Sequence, residues 1–133
     1  HRLAFQLLLY PVTWPDYDTA SRRDFDGLIL SKAGFAWFDQ CLAAASHPDG
    51  GRTKVAGRKS PTPGLIVTAG FDPLRDEGRE LHEARQVAGT PSDYLECPAL
   101  IHDFFIMPDV SNAVGTAASA VATRLGTALG TAR

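Results

Sequence analysis

The sequence is poor in cysteine: only Cys41 and Cys97 occur among its 133 residues. The two lie far apart and form no C-x-x-C pair, so neither a disulfide-rich scaffold nor a cysteine-based zinc module is indicated. We expect two buried, reduced thiols, and a single disulfide between them stays open as the alternative.

An excess of one charge sign is also lacking. The 13 basic and 15 acidic residues give a net charge of −2, so electrostatics indicates neither nucleic acid nor an anionic membrane surface as a partner. The basic segment 46–63 contains no aromatic side chain that could stack on bases, which favours a solvated loop. We therefore predict no nucleic-acid partner.

Long hydrophobic runs are absent as well. The longest uncharged stretch, residues 110–123, is shorter than the roughly 18–20 residues that cross a bilayer, and no signal peptide is visible. The sequence thus predicts no membrane span and favours a cytoplasmic location. Methionine occurs only as Met107, and the first residue is His1. We therefore expect that part of the natural chain, upstream of residue 1, is missing.

Three short apolar runs predict β-strands. Residues 3–10 are almost continuously apolar without alternation, which is typical of a strand buried on both faces in a parallel sheet. Residues 65–69 and 94–97 are two further candidates, and we expect Pro98 to end the last one.

Apolar residues at helical spacing predict three helices. The first covers residues 27–45 with Ser31 as N-cap, the second ends near Gly89, and the third covers residues 110–129. Turn-forming residues predict loops at residues 11–26 and 46–63. The order of strands and helices predicts an α/β fold with a mostly parallel sheet and right-handed crossovers.

Motifs for cofactors and metals are missing. Neither G-x-G-x-x-G nor G-x-x-x-x-G-K-[ST] occurs, so no dinucleotide or P-loop site is indicated. His82 and Glu83 begin like the zinc motif H-E-x-x-H, but the fifth position is Gln86. No serine has glycine two residues before and after it, as a nucleophile elbow requires. We predict no cofactor and no metal site.

Two polar side chains follow consecutive predicted strands. Asp72 comes after residues 65–69 and His102 after residues 94–97, so both should emerge at the carboxyl edge of the sheet, where α/β folds place their sites. A carboxylate there can hold an imidazole in one tautomer and stabilise the imidazolium. Taken singly, Asp72 before Pro73 is equally typical of a helix cap, and His102 of a partly buried histidine.

The segment LIVTAGFDPLRDEG, followed by PALIHDFF, resembles the C-terminal part of the hormone-sensitive-lipase-like family of α/β-hydrolases, which includes bacterial carboxylesterases and arylacetamide-deacetylase-like enzymes. FQLLLYP resembles the family strand after the nucleophile helix, and DGLILSKAGFAWFDQCL resembles a lid helix. The resemblance implies that residues 1–133 are the C-terminal part of one hydrolase domain. Residues 12–62 would form cap and connecting loop, and residues 63–133 the last strands and helices.

The resemblance also implies the catalytic roles. Asp72 matches the acid and His102 the general base of a triad, whereas the nucleophilic serine and the oxyanion loop are expected upstream of residue 1. The implied substrates are small carboxylic esters. Asp76 and Glu77 match other family positions and are expected to open a helix, where acidic groups suit the dipole. Asp103 replaces a family glycine, tolerates a positive φ better than most residues, and is a possible competitor of Asp72 for the imidazole.

The expected substrate-binding residues are aromatic. Phe35, Trp37 and Phe38 on the lid and Phe104 after the histidine are the candidates, with a packed core as the alternative for the lid residues. A hydrolase-fold binding or receptor module, or a non-catalytic assembly fragment, is the alternative function. A cysteine nucleophile, Cys97 or Cys41, is a further alternative. An exposed edge strand near Tyr94 and the apolar terminal helix also suit a homodimer.

Overall fold

The computed structural model describes residues 3–13, 18–44 and 60–130, with only the backbone of residues 42–44. Most of the predicted loop 46–63 therefore lies outside the described residues. These described residues form three strands, four α-helices and one short 3₁₀ helix near the end. In chain order they are β1 (Gln6–Leu9), α1 (Ala20–Asp24), α2 (Lys32–Ala44), β2 (Gly64–Phe71), α3 (Arg75–Val87), β3 (Ser92–Ile101), the 3₁₀ helix (Phe104–Ile106) and α4 (Asn112–Ala128).

The described strands form one parallel sheet in the order β1-β2-β3. This arrangement confirms the predicted α/β class. The central strand β2 is buried from Gly64 to Gly70, as its continuous apolar run predicts. In contrast, β1 is shorter than the predicted 3–10 and only half-buried, because it pairs with β2 on one side only within the described sheet.

β3 corrects the prediction that Pro98 ends the third strand. The strand continues to Ile101 through an irregularity, in which Gly70 of β2 lies opposite the three residues between Cys97 and Ile101. Proline has no N–H to donate and is tolerated in a strand at such a bulge. A Cβ atom on Gly70 would collide with the carbonyl oxygen of Pro98, so glycine is required there. The longer strand delivers His102 directly after its last residue.

The helices before β2 differ from the prediction in two ways, since one helix was missed and another begins later. α1 lies in the segment that was predicted as loop, and Thr19 caps it by accepting a hydrogen bond from the N–H of Arg22 at 3.2 Å. α2 begins at Lys32 instead of residue 27, with the Ser31 hydroxyl accepting from the N–H of Gly34 at 3.1 Å. Ser31 thus acts as the predicted cap. α3 ends at Val87, close to the predicted end at Gly89, which has φ +70°.

The sheet separates two helical layers. Leu65, Val67 and Ala69 of β2 alternate toward a core that α4 covers with three buried side chains, namely Val114, Ala117 and Val121. On the opposite face Ile66 and Thr68 lie against Gly78 of α3. α4 covers residues 112–128, so Val110 and Leu129, the two ends of the predicted helix, lie outside it and are 73% and 48% exposed.

Both cysteines are free thiols. Cys97 is buried, whereas Cys41 is exposed on α2, which corrects the expectation that both are buried and leaves no disulfide between them. Among the helices in the described ranges, none has the length and hydropathy needed to cross a membrane.

Candidate active site

Asp72 and His102 meet at the carboxyl edge of the sheet. Each directly follows the last residue of its strand, Phe71 of β2 and Ile101 of β3, and these strands are parallel neighbours. The distance between His102 Nδ1 and Asp72 Oδ2 is 2.8 Å, with side chains 9% and 0% exposed. An ionised carboxylate can only accept, so the geometry assigns the proton to Nδ1 and leaves Nε2 as an acceptor.

The second oxygen of Asp72 holds the turn that leads into α3. Oδ1 accepts from the N–H of Leu74 at 2.8 Å, and the Asp72 carbonyl accepts from the N–H of Arg75 at 3.1 Å. Because α3 begins only at Arg75, Asp72 closes an Asx-type turn rather than occupying the N-cap itself. The side chain therefore serves the start of the helix and the imidazole at once.

Asp103 lies on the other side of the imidazole. Its backbone is left-handed, with φ +60° and ψ 18°, a conformation that suits the glycine expected there from the family resemblance. One carboxylate oxygen lies 3.5 Å from His102 Nε2, and the side chain is 42% exposed. Asp103 thus does not compete with Asp72 for Nδ1; it faces the nitrogen that Asp72 leaves free.

Tyr10 is a member of this cluster that the sequence reasoning missed. Its ring lies 4.7 Å from the His102 ring between centroids, and its hydroxyl accepts from the N–H of Phe105 at 3.4 Å. Burial raises the pKa of the Tyr10 phenol, and the hydrogen bond from Phe105 lowers it in part. The nearby charges of Asp103 and Asp72 raise it further. The one feature of the sequence that points to Tyr10 is its position, because it directly follows β1 at the same sheet edge.

Asp76 and Glu77 lie in the first turn of α3 but are buried, not solvated. Asp76 accepts from the N–H of Ser21 at 2.9 Å and pairs with two arginines, Arg75 and Arg79. Burial raises the pKa of Asp76, but these hydrogen bonds and positive charges outweigh it and leave the pKa lowered.

Glu77 joins α3 to α1. Its carboxylate accepts from the N–H of Thr13 at 2.8 Å and from Arg22 Nε at 2.7 Å. Burial raises the pKa of Glu77 despite these two partners. The Arg22 guanidinium also covers the Phe35 ring at 4.2 Å, so this carboxylate couples the segment before α2 to the helix that follows Asp72.

The expected substrate-binding aromatics occupy different environments. Trp37 and Phe38 are 59% and 52% exposed on α2 and contact each other edge-to-face, which excludes a packed core for these two within the described residues. Phe35 is half-buried beneath Arg22. Phe104 is 1% exposed in the core, beside the Tyr10 ring.

Neither a cysteine nucleophile nor a metal site is indicated among the described residues. Burial raises the pKa of the Cys97 thiol, which disfavours the thiolate that a cysteine nucleophile requires. Across residues 3–13, 18–44 and 60–130, no group of three or more His, Cys, Asp or Glu side chains could hold a metal ion.

Comparison with known proteins places the chain in a family. Residues 1–106 match the family model of the alpha/beta hydrolase fold. The carboxylic ester hydrolase LipN of Mycobacterium tuberculosis is 35% identical over 74% of this chain and 28% of its own length. Carboxylesterase NlhH of the same species is 30% identical over 90% of this chain and 41% of its own length. The chain therefore spans less than half the length of these relatives.

Solved structures agree with the sequence matches. The crystal structure of DphMB1 superimposes with a TM-score of 0.79 at 30% identity, covering 96% of this chain and 44% of that one. The parallel sheet, the flanking helices and the sequence matches lead to one conclusion. The chain belongs to the α/β-hydrolase fold family, and within it to the hormone-sensitive-lipase-like branch.

Proposed function

We propose that the chain carries the acid and the base of a serine hydrolase that cleaves carboxylic esters. The observation that carries this proposal is the 2.8 Å hydrogen bond between His102 Nδ1 and the buried Asp72 carboxylate at the carboxyl edge of the sheet. Its similarity to the carboxylesterases LipN and NlhH supports the same reaction class. The nucleophilic serine and the oxyanion loop belong, in this proposal, to a segment upstream of residue 1.

Each step of the reaction uses the free Nε2 atom of His102. The serine oxygen attacks the ester carbonyl while Nε2 takes the serine proton, and Asp72 stabilises the imidazolium that forms. The imidazolium then gives this proton to the departing alkoxide, which leaves as the alcohol, while the acyl group stays on serine. In the second half Nε2 takes a proton from water, the resulting hydroxide attacks the acyl-enzyme, and the proton returns to serine as the acid leaves.

The cap supplies the acyl-binding residues in this proposal. Residues 12–62 form the cap and its connection, and Phe35, Trp37 and Phe38 contact the acyl chain of the ester. The exposure of Trp37 and Phe38 supports this role, because large apolar side chains left uncovered on a helix are available to a ligand. Phe104, whose ring packs against Tyr10, supports the His102 loop from the core side.

The test uses the complete protein, including the segment upstream of residue 1, and p-nitrophenyl esters of short acyl chains. His102→Ala should lower kcat by at least about 10³-fold, as expected for loss of a general base in a triad. His82→Ala is the matched control, because His82 bonds Ser92 and stacks on Tyr94, outside the Asp72–His102 cluster. Near-wild-type turnover of the His102 variant would contradict the proposal.

A fluorophosphonate probe separates the enzyme from a binding or assembly module. We expect the wild-type protein to be labelled at one serine and the His102→Ala variant to be labelled far more slowly. If the wild-type protein is not labelled, the non-catalytic alternative is favoured.

We keep the homodimer as a proposal. β3 is an outer strand of the described sheet, and an unpaired strand edge can pair with a second copy. Sedimentation velocity of the complete protein over a range of concentrations tests it, and a monomer at all concentrations would refute it.

A further inference from the structure

His102 has a carboxylate at each ring nitrogen, and the two differ in exposure. Asp72 at Nδ1 is 0% exposed, whereas Asp103, 3.5 Å from Nε2, is 42% exposed. Nε2 is the atom that, in the function proposed above, protonates the leaving alcohol. Asp103 therefore lies beside the path of the leaving group, on the side that solvent and substrate can reach.

We propose that Asp103 is a specificity-determining residue that selects the leaving group by charge. It favours esters whose alcohol portion carries a positive charge over neutral isosteres, and it disfavours anionic alcohols. This inference rests on the proposed function, because it concerns the substrate of that same site.

The geometry places the leaving group within range of the Asp103 charge. The ester oxygen must come within about 3 Å of Nε2 to receive its proton, which puts it no more than about 6.5 Å from the Asp103 oxygen that lies 3.5 Å from Nε2. The cationic group of such an alcohol lies beyond this oxygen, about 7 to 10 Å from the carboxylate. At an effective dielectric constant between about 20 and 80, the attraction raises kcat/KM by a factor of about 2 to 50. The partial exposure of Asp103 favours the lower part of this range.

Within the described residues, no lysine or arginine forms a salt bridge with Asp103. The Asp103 carboxylate lies 3.5 Å from His102 Nε2, a contact that becomes an ion pair only when the imidazole is protonated. The arginines Arg22 and Arg75 pair instead with Glu77 and Asp76. The Tyr10 phenol, beside the same imidazole, responds to this field: after burial, the charges of Asp103 and Asp72 raise its pKa. Within the described residues, the Asp72 and Asp103 carboxylates therefore place negative charge on both sides of the imidazole.

The backbone holds the Asp103 carboxylate near Nε2. Asp103 has left-handed dihedral angles, and its carbonyl accepts from the N–H of Ile106 at 3.0 Å, which anchors it to the 3₁₀ helix. Asparagine and glycine both tolerate this conformation. Asp103→Asn therefore removes the charge with little change in shape, and Asp103→Gly removes the side chain as well.

The experiment measures kcat/KM of the complete protein for acetylcholine and for 3,3-dimethylbutyl acetate, an isosteric pair that differs in one positive charge. The ratio of cationic to neutral kcat/KM should fall about 3- to 20-fold in both Asp103→Asn and Asp103→Gly. Asp109→Asn changes the net charge equally at an exposed position outside the cluster, and it should leave the ratio unchanged. Raising the salt concentration should lower the ratio in the wild type but not in the Asp103 variants.

A general loss of turnover lowers kcat/KM for both esters equally and leaves their ratio unchanged. A merely structural role of Asp103 would therefore not alter the ratio. An Asp103→Asn ratio equal to that of the wild type would overturn the charge selection while hydrolysis of the neutral ester still upholds the proposed function. A wild-type protein that hydrolyses neither of these two esters nor a p-nitrophenyl ester would overturn both.

Discussion

Replacing Arg22 with methionine tests the buried ion pair that joins α1 to α3. Arg22 Nε lies 2.7 Å from Glu77 Oε2, and the two side chains are 9% and 0% exposed. Methionine keeps much of the aliphatic length of arginine but removes the charge and the donor. In the structure Glu77 accepts hydrogen bonds from Arg22 Nε and from the N–H of Thr13. After the substitution it stays buried and keeps only the Thr13 bond, at 2.8 Å, of these two.

The expected loss of stability is large because the carboxylate cannot reach water. Removing one partner of a buried pair costs about 3–5 kcal/mol, and the lost contact of the guanidinium with the Phe35 ring, at 4.2 Å, adds about 0.5–1 kcal/mol. The adjacent pair provides the matched control. Arg23 lies 2.8 Å from Asp18, but these side chains are 58% and 82% exposed, so Arg23→Met should cost less than about 1 kcal/mol.

The pH dependence has a definite sign. Burial raises the pKa of Glu77, and the hydrogen bond and charge of Arg22 oppose that rise, so removing Arg22 raises the folded-state pKa further. The folded protein then binds this proton more tightly than the unfolded chain does. Stability is consequently lost as the pH rises from the ordinary glutamate value through the folded-state value. The cost of Arg22→Met should be larger at pH 8 than at pH 5.

Urea unfolding of the complete protein at both pH values measures these effects. The double variant Arg22→Met/Glu77→Gln contains no buried charge at this site and should be more stable at pH 8 than Arg22→Met alone, which a double-mutant cycle quantifies. A cost of Arg22→Met below about 1 kcal/mol at pH 8, equal to that of Arg23→Met, would refute the reasoning.

Three further predictions concern the site and the packing around it. Asp72→Asn should lower kcat for p-nitrophenyl butyrate about 10³- to 10⁴-fold, because an amide does not favour the tautomer with the proton on Nδ1. Gly78→Ala should destabilise the protein by about 1–3 kcal/mol in thermal or urea unfolding, because its Cβ would lie 2.5 Å from a buried side chain of β2. Gly115→Ala, also within a helix but with open space around it, should stabilise by about 0.5–1 kcal/mol. Trp37→Ala should raise KM for hexanoate esters several-fold while changing stability by less than about 1 kcal/mol, since this side chain is 59% exposed.

The elements that the sequence predicts best are those whose signal is local. β2 is an uninterrupted apolar run, and it is the fully buried central strand. α1 was missed because five residues carry no helical periodicity, and its stability is tertiary. Ser21 donates its N–H to Asp76 and its hydroxyl to the Pro73 carbonyl, at 2.9 and 2.8 Å. A contact across more than fifty positions leaves no trace in residue spacing.

The candidate site divides in the same way. The adjacency of Asp72 and His102 could be predicted because parallel strands that follow each other in sequence end at one edge. Tyr10 was missed because an aromatic residue before a proline has no catalytic signature of its own, and only its place directly after β1 points to this edge. For Asp103 the family resemblance indicated the positive φ, but only the structure shows that its carboxylate faces Nε2 instead of Nδ1.

Helix capping and imidazole orientation are alternative roles for Asp72 when the sequence alone is considered. In the structure Asp72 closes the turn before α3 instead of capping the helix, and it holds the imidazole at the same time. A carboxylate has about four lone-pair sites, and here Oδ1 accepts from Leu74 N–H while Oδ2 faces His102 Nδ1, both at 2.8 Å. The turn bond prevents rotation of the carboxylate, so the start of α3 aims Oδ2 at the ring. The turn before α3 is thereby the reason that the second oxygen of Asp72 is preorganised for the imidazole.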